Sequence, residues 1–374
     1  MIRDYDSSLA GDCAEFIARC PAADYCHDPA WLDVIAETYG KKSRAWVSLD
    51  AQGKVDGFAS ACYMGAPGMG RSLVCLPYLD YGGPLASAPA VASALRARLR
   101  EEAGRQGASL EIRCLRPLEG LTGPDNLKVS MLLALGPEAA PPSGPSPVPE
   151  KTKPAKKAEP MAPESMGSAA VDAYWKRLDA KVRNQVRKAD KSGIKVEWGR
   201  VDRLDDFYSV FCMNMRDLGS PVHSKRLFAS VLKHFPGAEI GAAYREGKCI
   251  GGLFRIHWKD TVVIPWASTL KEERIHSPNN ALYWESIRFA IGKGCHAVDF
   301  GRSSKEEGTY RFKKQWLADE GPLHWYQFNP KGELIAKVRH VASGKLGWTR
   351  GVWARFPLPL ANALGPVLRG HISA

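Results

Sequence analysis

The stretch that decides the fold is Gly294-Cys-His-Ala-Val-Asp-Phe-Gly-Arg-Ser-Ser-Lys-Glu-Glu-Gly-Thr-Tyr-Arg-Phe-Lys-Lys-Gln-Trp316. Its first part, His296 to Phe300, is predicted to form a short strand that ends at Gly301 in a polar loop. Ligands usually lie outside the carboxyl ends of strands in an α/β sheet, and cations held among aromatic rings can clamp a phosphate or carboxylate. The stretch therefore predicts an anion-binding loop, with a solvated basic turn as the alternative. Its candidate binding residues are Tyr310, Arg311, Lys313 and Lys314.

Length and charge set the broad class of the protein. At 374 residues the chain is long enough for two domains, since about 100–200 residues per domain is usual. The net charge of +12 favours an anionic partner, such as nucleic acid, a phosphorylated substrate or an acidic lipid surface. Two regions concentrate the positive charge. Residues 176–200 contain nine Lys/Arg against three acids, and residues 331–374 contain seven against one.

Targeting and metal-binding patterns are not found in the sequence. The first residues lack the basic start and apolar run of a secretory signal, and no window reaches the roughly 18 apolar residues of a membrane span. The nine cysteines are scattered without a CxxC pair, which is typical of reduced thiols rather than of disulfides or a zinc site. We therefore expect a cytoplasmic protein that binds no metal.

The two halves of the chain repeat one order of predicted elements. In the first half, strands flank the turn Asp50–Lys54, and an Ala-rich helix leads to the strand Ser109–Leu115. In the second half, strands flank the turn Arg245–Lys248, and another helix leads to the strand His296–Phe300. An internal duplication explains this order, and a chance similarity is the alternative.

These features divide the sequence into four parts. We predict an N-terminal lobe at 1–135 and a C-terminal lobe at 171–330. Between them, residues 136–170 are rich in Pro, Ala, Ser and Lys and are predicted to be a disordered linker, because they carry too little apolar surface to fold. Residues 331–374 form a basic, aromatic tail.

Five sequence motifs in this order resemble a known family. The sequence is similar to FemAB-like aminoacyl (peptidyl) transferases, in the branch associated with PEP-CTERM (exosortase) exopolysaccharide loci, over nearly the whole chain outside 136–170. The motifs are Lys181-Val-Arg-Asn-Gln-Val-Arg-Lys-Ala-Asp-Lys-Ser-Gly193, Met215-Arg-Asp-Leu-Gly-Ser-Pro221, Leu282-Tyr-Trp-Glu285, Phe300-Gly-Arg-Ser303 and Gly308-Thr-Tyr-Arg-Phe-Lys-Lys-Gln-Trp316.

The resemblance implies a fold and an activity. The expected fold is α/β, with two tandem GNAT-like mixed-sheet lobes. The expected enzyme moves an aminoacyl or acyl group onto an amine of a phosphorylated or lipid-linked envelope or exopolysaccharide precursor. Such transferases use a lysine in a Tyr-x-Phe-Lys motif, which is Lys313 here, although Trp316-Leu317 stands where the motif usually continues with Phe-Gly. The implied donor is an activated acyl substrate, either aminoacyl-tRNA or an acyl thioester, and no cofactor or DNA partner is implied. The inserted coiled coil with which some members grip transfer RNA is not found in this sequence.

Amide formation also needs a proton acceptor, and a phosphorylated acceptor needs groups that contact its phosphates. Asp299 is the candidate base, with pairing to a neighbouring cation as the alternative. Arg302 either joins the anion site or points to solvent. Arg183 and Arg187 share one face of a predicted basic helix and either contact phosphate or remain solvated. Trp266 is either a ligand platform or a core aromatic side chain.

Two other functions remain open. One is an acyl-CoA or acyl-carrier-protein N-acyltransferase. The stretch Arg274–Asn280 before the helix has no glycine, however, whereas a CoA pyrophosphate usually lies on a glycine-containing turn at a helix N-terminus. The other is a non-catalytic anion-binding adaptor in polysaccharide assembly.

The tail from Gly347 mixes aromatic and basic residues. This composition suits the interface of an acidic membrane, so peripheral contact with the inner membrane is one expectation. Packing of the tail across the two lobes is the other.

Overall fold

The architecture comes from a computed structural model, which describes residues 1–65, 70–121, 128–135, 163–305, 307–335 and 351–373. Within these residues, fourteen strands form two seven-stranded mixed sheets flanked by helices. The predicted α/β class with two tandem lobes is therefore confirmed. No helix in the described part of the chain is long and apolar enough to cross a bilayer.

The first sheet has the strand order β1-β2-β3-β4-β6-β14, with β5 paired to β3. The strands are β1 (Ile2–Asp4), β2 (Ser43–Leu49), β3 (Val55–Met64), β4 (Ser72–Val74), β5 (Leu85–Ala86), β6 (Ser109–Cys114) and β14 (His324–Phe328). Its helices are α1 (Ala10–Arg19), α2 (Ala30–Tyr39) and α3 (Pro89–Arg105).

The second sheet has the order β13-β7-β12-β11-β10-β9-β8. The strands are β7 (Lys128–Ala134), β8 (Lys195–Gly199), β9 (Ala238–Arg245), β10 (Lys248–Trp258), β11 (Thr261–Thr269), β12 (Ala297–Ser304) and β13 (Asp319–Pro322). The helices of this part are α4 (Pro163–Arg177), α5 (Ala180–Lys191), α6 (Leu204–Asp217), α7 (Lys225–His234), α8 (Pro278–Gly292), α9 (Gly308–Lys314) and α10 (Leu358–Arg369).

Both sheets contain the same local unit. In each lobe a strand is followed by a helix and then by a parallel partner strand, β4 with β6 and β11 with β12. The remaining pairs between named strands are antiparallel. The parallel pair of the second lobe is registered only from Thr261 to Val263, and beyond that point β11 and β12 separate.

The lobes exchange one strand each. β7 lies in the second sheet, antiparallel to β12, and β14 lies in the first sheet, antiparallel to β6. The sheets therefore do not follow the predicted boundaries 1–135 and 171–330. The physical reason is that β6 and β12 would otherwise present unpaired backbone N–H and C=O groups along one edge.

The region before the second lobe differs from the sequence prediction. Residues 163–170, predicted to be disordered linker, belong to helix α4, and the rest of that linker, 136–162, lies outside the described residues. The predicted basic helix that contains Arg183 and Arg187 is α5, and it is separate from α4. The two helices are separated at Asp179, whose side chain accepts a hydrogen bond from the backbone N–H of Lys181 as the N-cap of α5.

The deciding stretch also folds differently from the prediction. The strand β12 does not end at Gly301 but continues to Ser304, with a register shift against β7 between Asp299 and Arg302. Gly301 has φ +67°, a left-handed conformation that side-chain-bearing residues rarely adopt. The strand therefore bends at this glycine, and α9 follows where a loop was predicted.

One hydrophobic core spans both halves of the chain. Trp31 of α2 and Trp325 of β14 share a buried cluster with Phe207 and Phe254 of the second half. Because this cluster crosses between the lobes, it holds the two sheets in a defined relation around the cavity between them.

Candidate active site between the lobes

A cavity of about 930 Å³ lies between the lobes. The first lobe contributes His27, Tyr81 and Arg96 to its lining, and the second contributes Trp258 and Asp299. A concave site lined by both domains is where substrate binding is usually found.

Asp299 is the buried carboxylate of this cavity. It is 7% exposed, accepts a 2.7 Å hydrogen bond from the backbone N–H of Gly301, and also accepts one from the Tyr81 hydroxyl. Burial raises the pKa of Asp299 to about 7, although the N–H of Gly301 opposes the shift. Within the described residues no Lys or Arg forms a salt bridge with this carboxylate, so it is not held as the partner of a neighbouring cation.

Lys313 is buried on the inner face of α9. Its Nζ donates to the carbonyl of Arg302 at 2.8 Å and lies 3.5 Å from the carbonyl oxygen of Gly301. Burial lowers the pKa of Lys313 to about 8, while the nearby charges of Asp80 and Asp299 oppose the shift. The structure therefore brings the predicted pair Lys313 and Asp299 to the same bend of β12, within electrostatic reach of each other.

Arg302 joins this cluster through the first lobe. Its backbone N–H and its Nε donate to the Asp80 carboxylate at 2.9 and 3.1 Å. The guanidinium carbon lies 5.2 Å from the ring centroid of Trp325, and Nη1 is buried with no hydrogen-bond partner among the described residues. Arg302 therefore contacts the other lobe, its side chain is 24% exposed, and it does not line the cavity.

Lys128 adds a second cation beside the same tryptophan. Its Nζ lies 5.4 Å from the Trp325 ring centroid, and the exchanged strands β7 and β14 supply these two side chains. Burial lowers the pKa of Lys128 to about 8, and the positive charge of Arg302 contributes to the shift. The strand exchange thus builds a basic cluster that neither lobe could form alone.

The other cations of the deciding stretch lie elsewhere. Arg311 and Lys314 are exposed, because successive residues of a helix point about 100° apart and only Lys313 faces inward. Tyr310 donates a 2.6 Å hydrogen bond to Glu320 on the outer surface. The structure does not bring these three predicted binding residues to Asp299.

The remaining predicted residues have local partners. On α5, Arg183 donates to the Leu178 carbonyl, and the Arg187 guanidinium lies 5.5 Å from the Trp175 ring centroid. Trp266 packs edge-to-face on Phe228 and Phe254 at 5.1 and 5.3 Å. None of the three predicted residues lines the cavity.

Sequence reasoning missed the first lobe's share of the site. Asp80 and Tyr81 come from the loop between Leu76 and Pro84, where no site residue was predicted. Leu76 and Tyr78 have φ of +51° and +74°, and such strained backbone is concentrated at functional sites. The high glycine and proline content of this loop, directly after a strand, could have indicated a functional site.

The N-terminus of α8 was the place to look for a CoA pyrophosphate. It begins at Ser277-Pro278-Asn279-Asn280, where Ser277 has φ +63° and its hydroxyl donates to Gln185 of α5. Helix α5 therefore contacts the N-terminus of α8 directly. This terminus also lacks the glycine turn of a pyrophosphate site.

Comparison with known proteins supports the fold and the enzyme class. Residues 176–314 match the model of an acetyltransferase (GNAT) domain, which is less than half of the chain. A search of curated protein sequences finds no match. The domain match supports an acyltransferase, the class of enzyme that the sequence predicts.

Solved structures extend the likeness to both lobes. FemX is 12% identical, with a TM-score of 0.62 over 88% of this chain and 98% of that one. The C-terminal domain (DUF2156) of a putative lysylphosphatidylglycerol synthetase from Agrobacterium fabrum is 12% identical, with a TM-score of 0.53 over 85% and 91%. A tandem GNAT protein from the clavulanic acid biosynthesis pathway is 10% identical, with a TM-score of 0.50 over 88% and 98%. At these identities the likeness shows the fold, which is the predicted pair of tandem GNAT lobes.

Proposed function

We propose that this protein is a FemAB-like transferase of the branch associated with PEP-CTERM exopolysaccharide loci. It moves an aminoacyl or acyl group onto an amine of a phosphorylated cell-envelope or exopolysaccharide precursor. One observation carries the proposal. A buried carboxylate, Asp299, has a pKa of about 7 and faces the interlobe cavity beside the buried cation Lys313.

Asp299 acts as the general base of this reaction. A general base is most effective when its pKa lies near the working pH. The carboxylate takes a proton from the acceptor ammonium, and the free amine attacks the carbonyl carbon of the donor. As the C–N bond forms, the leaving ester oxygen or thiolate departs with the electron pair of its bond to that carbon, and it receives the proton held by Asp299. The carboxylate, ionised again, takes the second proton from the amide nitrogen and releases it to water.

Tyr81 and Lys313 position and tune this base. The Tyr81 hydroxyl donates to one carboxylate oxygen and the Gly301 N–H to the other, so the carboxylate has a fixed orientation. The positive charge of Lys313 favours the ionised form of Asp299. Because its Nζ donates to the carbonyl of Arg302 at the bend of β12, Lys313 is a positioning residue in this proposal.

Arg302 and Lys128 hold the phosphates of the acceptor. Both lie beside Trp325, and the Arg302 side chain is 24% exposed. Arginine binds phosphate through its planar array of N–H donors, and lysine adds a point charge. Two cations beside one aromatic ring suit a phosphorylated acceptor.

The donor in this proposal is an activated aminoacyl ester, aminoacyl-tRNA, with an acyl thioester as the second choice. The structural neighbour described as a putative lysylphosphatidylglycerol synthetase is named for an aminoacylated lipid, which supports an aminoacyl donor. The reaction needs no further cofactor. We place the enzyme in the cytoplasm, with peripheral contact with the inner membrane where a lipid-linked precursor is found.

A second candidate is an N-acyltransferase that uses acyl-CoA or an acyl-carrier protein. The match of residues 176–314 to an acetyltransferase domain favours it. The N-terminus of α8, without a glycine turn and in contact with Gln185, disfavours CoA in this lobe.

Donor competition separates the two candidates. The protein is incubated with a bacterial extract of phosphorylated envelope precursors and either a mixture of aminoacyl-tRNAs or acetyl-CoA, and amide products are identified by mass spectrometry. We expect an aminoacylated precursor with the first donor only. Turnover with acetyl-CoA alone would establish the second candidate, and a lack of turnover with every donor would overturn the proposal.

A further inference from the structure

The C-terminal helix α10 is anchored to both lobes along one face. Ala361 and Gly365 are buried on this face, and a Cβ at Gly365 would lie 2.8 Å from the side chain of Val222. Arg369, one turn further, donates from Nε to His223 at 3.0 Å. The position and rotation of this helix are therefore fixed by the second lobe.

The residues after α10 reach the first lobe. The Tyr78 hydroxyl donates to the carbonyl of Gly370 at 2.9 Å, and Arg113 donates to the Ser373 carbonyl at 3.1 Å. The inner face of the tail therefore packs across the two lobes. This packing was one of the two expectations for the tail.

The opposite face of α10 is an exposed apolar row. Its four large side chains are Leu360, Leu364, Val367 and Leu368, which are 52%, 46%, 64% and 45% exposed. Their spacing of four, three and one residues places them on one side of an α-helix. Soluble proteins rarely leave such contiguous apolar surface uncovered unless it binds something.

Aromatic and basic residues accompany this row. Trp353 and Phe356, just before α10, stack with ring centroids 5.3 Å apart and are half-buried. Arg355 between them is exposed. From residue 334 to 374 the sequence contains six Lys/Arg and no Asp or Glu. One of the six, Arg369, lies on the inner face of α10, and the segment as a whole is positively charged.

The apolar surface and the positive charge together indicate what binds this face of α10. An apolar helix face with aromatic side chains and basic neighbours binds the headgroup region of a bilayer that contains anionic lipid. Pairing of α10 with a second copy of the chain would instead bring two acid-free basic segments together, where like charges repel.

We propose that the exposed face of α10 docks the protein onto an anionic lipid surface, with Leu360, Leu364 and Val367 at the boundary between headgroups and acyl chains. The helix lies flat on the membrane while its inner face stays packed on the lobes. This docking rests on the proposed function in one respect only: a lipid-linked acceptor would explain why the enzyme binds a membrane.

Vesicle co-sedimentation tests the proposal without any substrate. The full-length protein is mixed at low salt with vesicles of phosphatidylcholine alone or with 30 mol% phosphatidylglycerol (roughly the anionic fraction that produces a negative surface potential). We expect binding to the anionic vesicles, weakened by high salt. Leu364→Asp with Leu368→Asp is expected to lower the affinity at least about tenfold, because two charges would enter the apolar boundary.

A pair of valines supplies the matched control. Val367→Asp is expected to weaken binding, whereas Val201→Asp, at a valine that is 66% exposed on the turn before α6, is expected to bind as the unmodified protein does. All these side chains are exposed, so circular dichroism should show an unchanged fold.

Several results would overturn the docking proposal. They are absence of binding to anionic vesicles, equal binding by the α10 variants, or equal loss in Val201→Asp. Sedimentation without lipid adds one more result. If the unmodified protein is a dimer and the double variant Leu364→Asp with Leu368→Asp is a monomer, this face is a self-association surface. Asp299→Asn is expected to bind vesicles normally, so failure of the transferase proposal and failure of docking are distinguishable.

Discussion

Corresponding strands of the two lobes hold buried charges in different ways. On β6 of the first lobe, Arg113 lies 2.5 Å from Glu111, donates to the Leu79 carbonyl at 2.7 Å, and stacks 4.4 Å from the Trp325 ring centroid. In the second lobe, Asp299 of β12 and Lys313 of α9 hydrogen-bond to uncharged groups instead of to each other.

The two lobes therefore use buried charge for different tasks. Removing one partner of a buried ion pair leaves an uncompensated charge, so the pair on β6 holds the structure together. A buried charge with neutral partners loses part of its preference for ionisation, and the pKa of Asp299 rises to about 7 while that of Lys313 falls to about 8. The second lobe therefore carries groups that can exchange protons near neutral pH, and the first lobe supplies the cavity wall.

The largest expected effect comes from Asp299→Asn. The amide keeps the shape but cannot accept the proton, so we expect the transfer rate to fall by about 10²–10⁴-fold. Asp260→Asn is the control, because Asp260 also lines the cavity but is 67% exposed. Initial rates of amide formation with both variants measure the effect, and equal rates would remove Asp299 from the chemistry.

Arg113→Met tests the structural role of the first lobe. It leaves Glu111 without its buried partner, so we expect the free energy of unfolding to fall by about 3–5 kcal/mol. Arg19→Met, in an exposed pair with Glu15, should change it by less than about 1 kcal/mol. Urea unfolding of both variants measures this difference, and a stable Arg113→Met protein would contradict the comparison between the lobes.

Lys313→Met tests the positioning role in the second lobe. Without this positive charge the ionised form of Asp299 is less favourable and its pKa rises further. A rise of about one unit lowers the ionised fraction of Asp299 at pH 7 from about one half to about one tenth, so the rate should fall roughly fivefold. The pH–rate profile should move to higher pH, whereas Lys314→Met, on the exposed face of α9, should leave it unchanged. A uniform loss at all pH values would instead indicate a purely structural lysine.

The smallest effect is the pH dependence of the unmodified protein. Activity should rise with pH through about 7 as Asp299 ionises and fall beyond about 8 as Lys313 loses its proton. The pKa of Asp299 in the folded state lies above its ordinary 3.8. Between pH 3.8 and about 7 the folded protein therefore holds a proton on Asp299 that the unfolded chain has released. Stability from this group is therefore lost as pH rises from about 4 to 7, and Asp299→Asn should remove that slope in urea titrations.

The order of elements was predictable because each depends on local patterns. A glycine-containing turn between two strands, then a helix and a further strand, recur in both halves, and the two lobes follow from this order. The exchange of β7 and β14 was not predictable, since which edge a strand pairs with depends on contacts distant in the sequence. Helix α9 was also missed, and with it the separation of Lys313 from Arg311 and Lys314.

The sequence alone shows that the stretch from Gly294 to Trp316 carries an acid and a lysine close to a glycine. The packing of the two lobes is what brings Asp299 to Tyr81, 218 residues away, and makes Lys313 the buried cation of its helix. Burial, which moves the pKa values of both groups towards neutrality, is a property of the packed lobes and of no single segment.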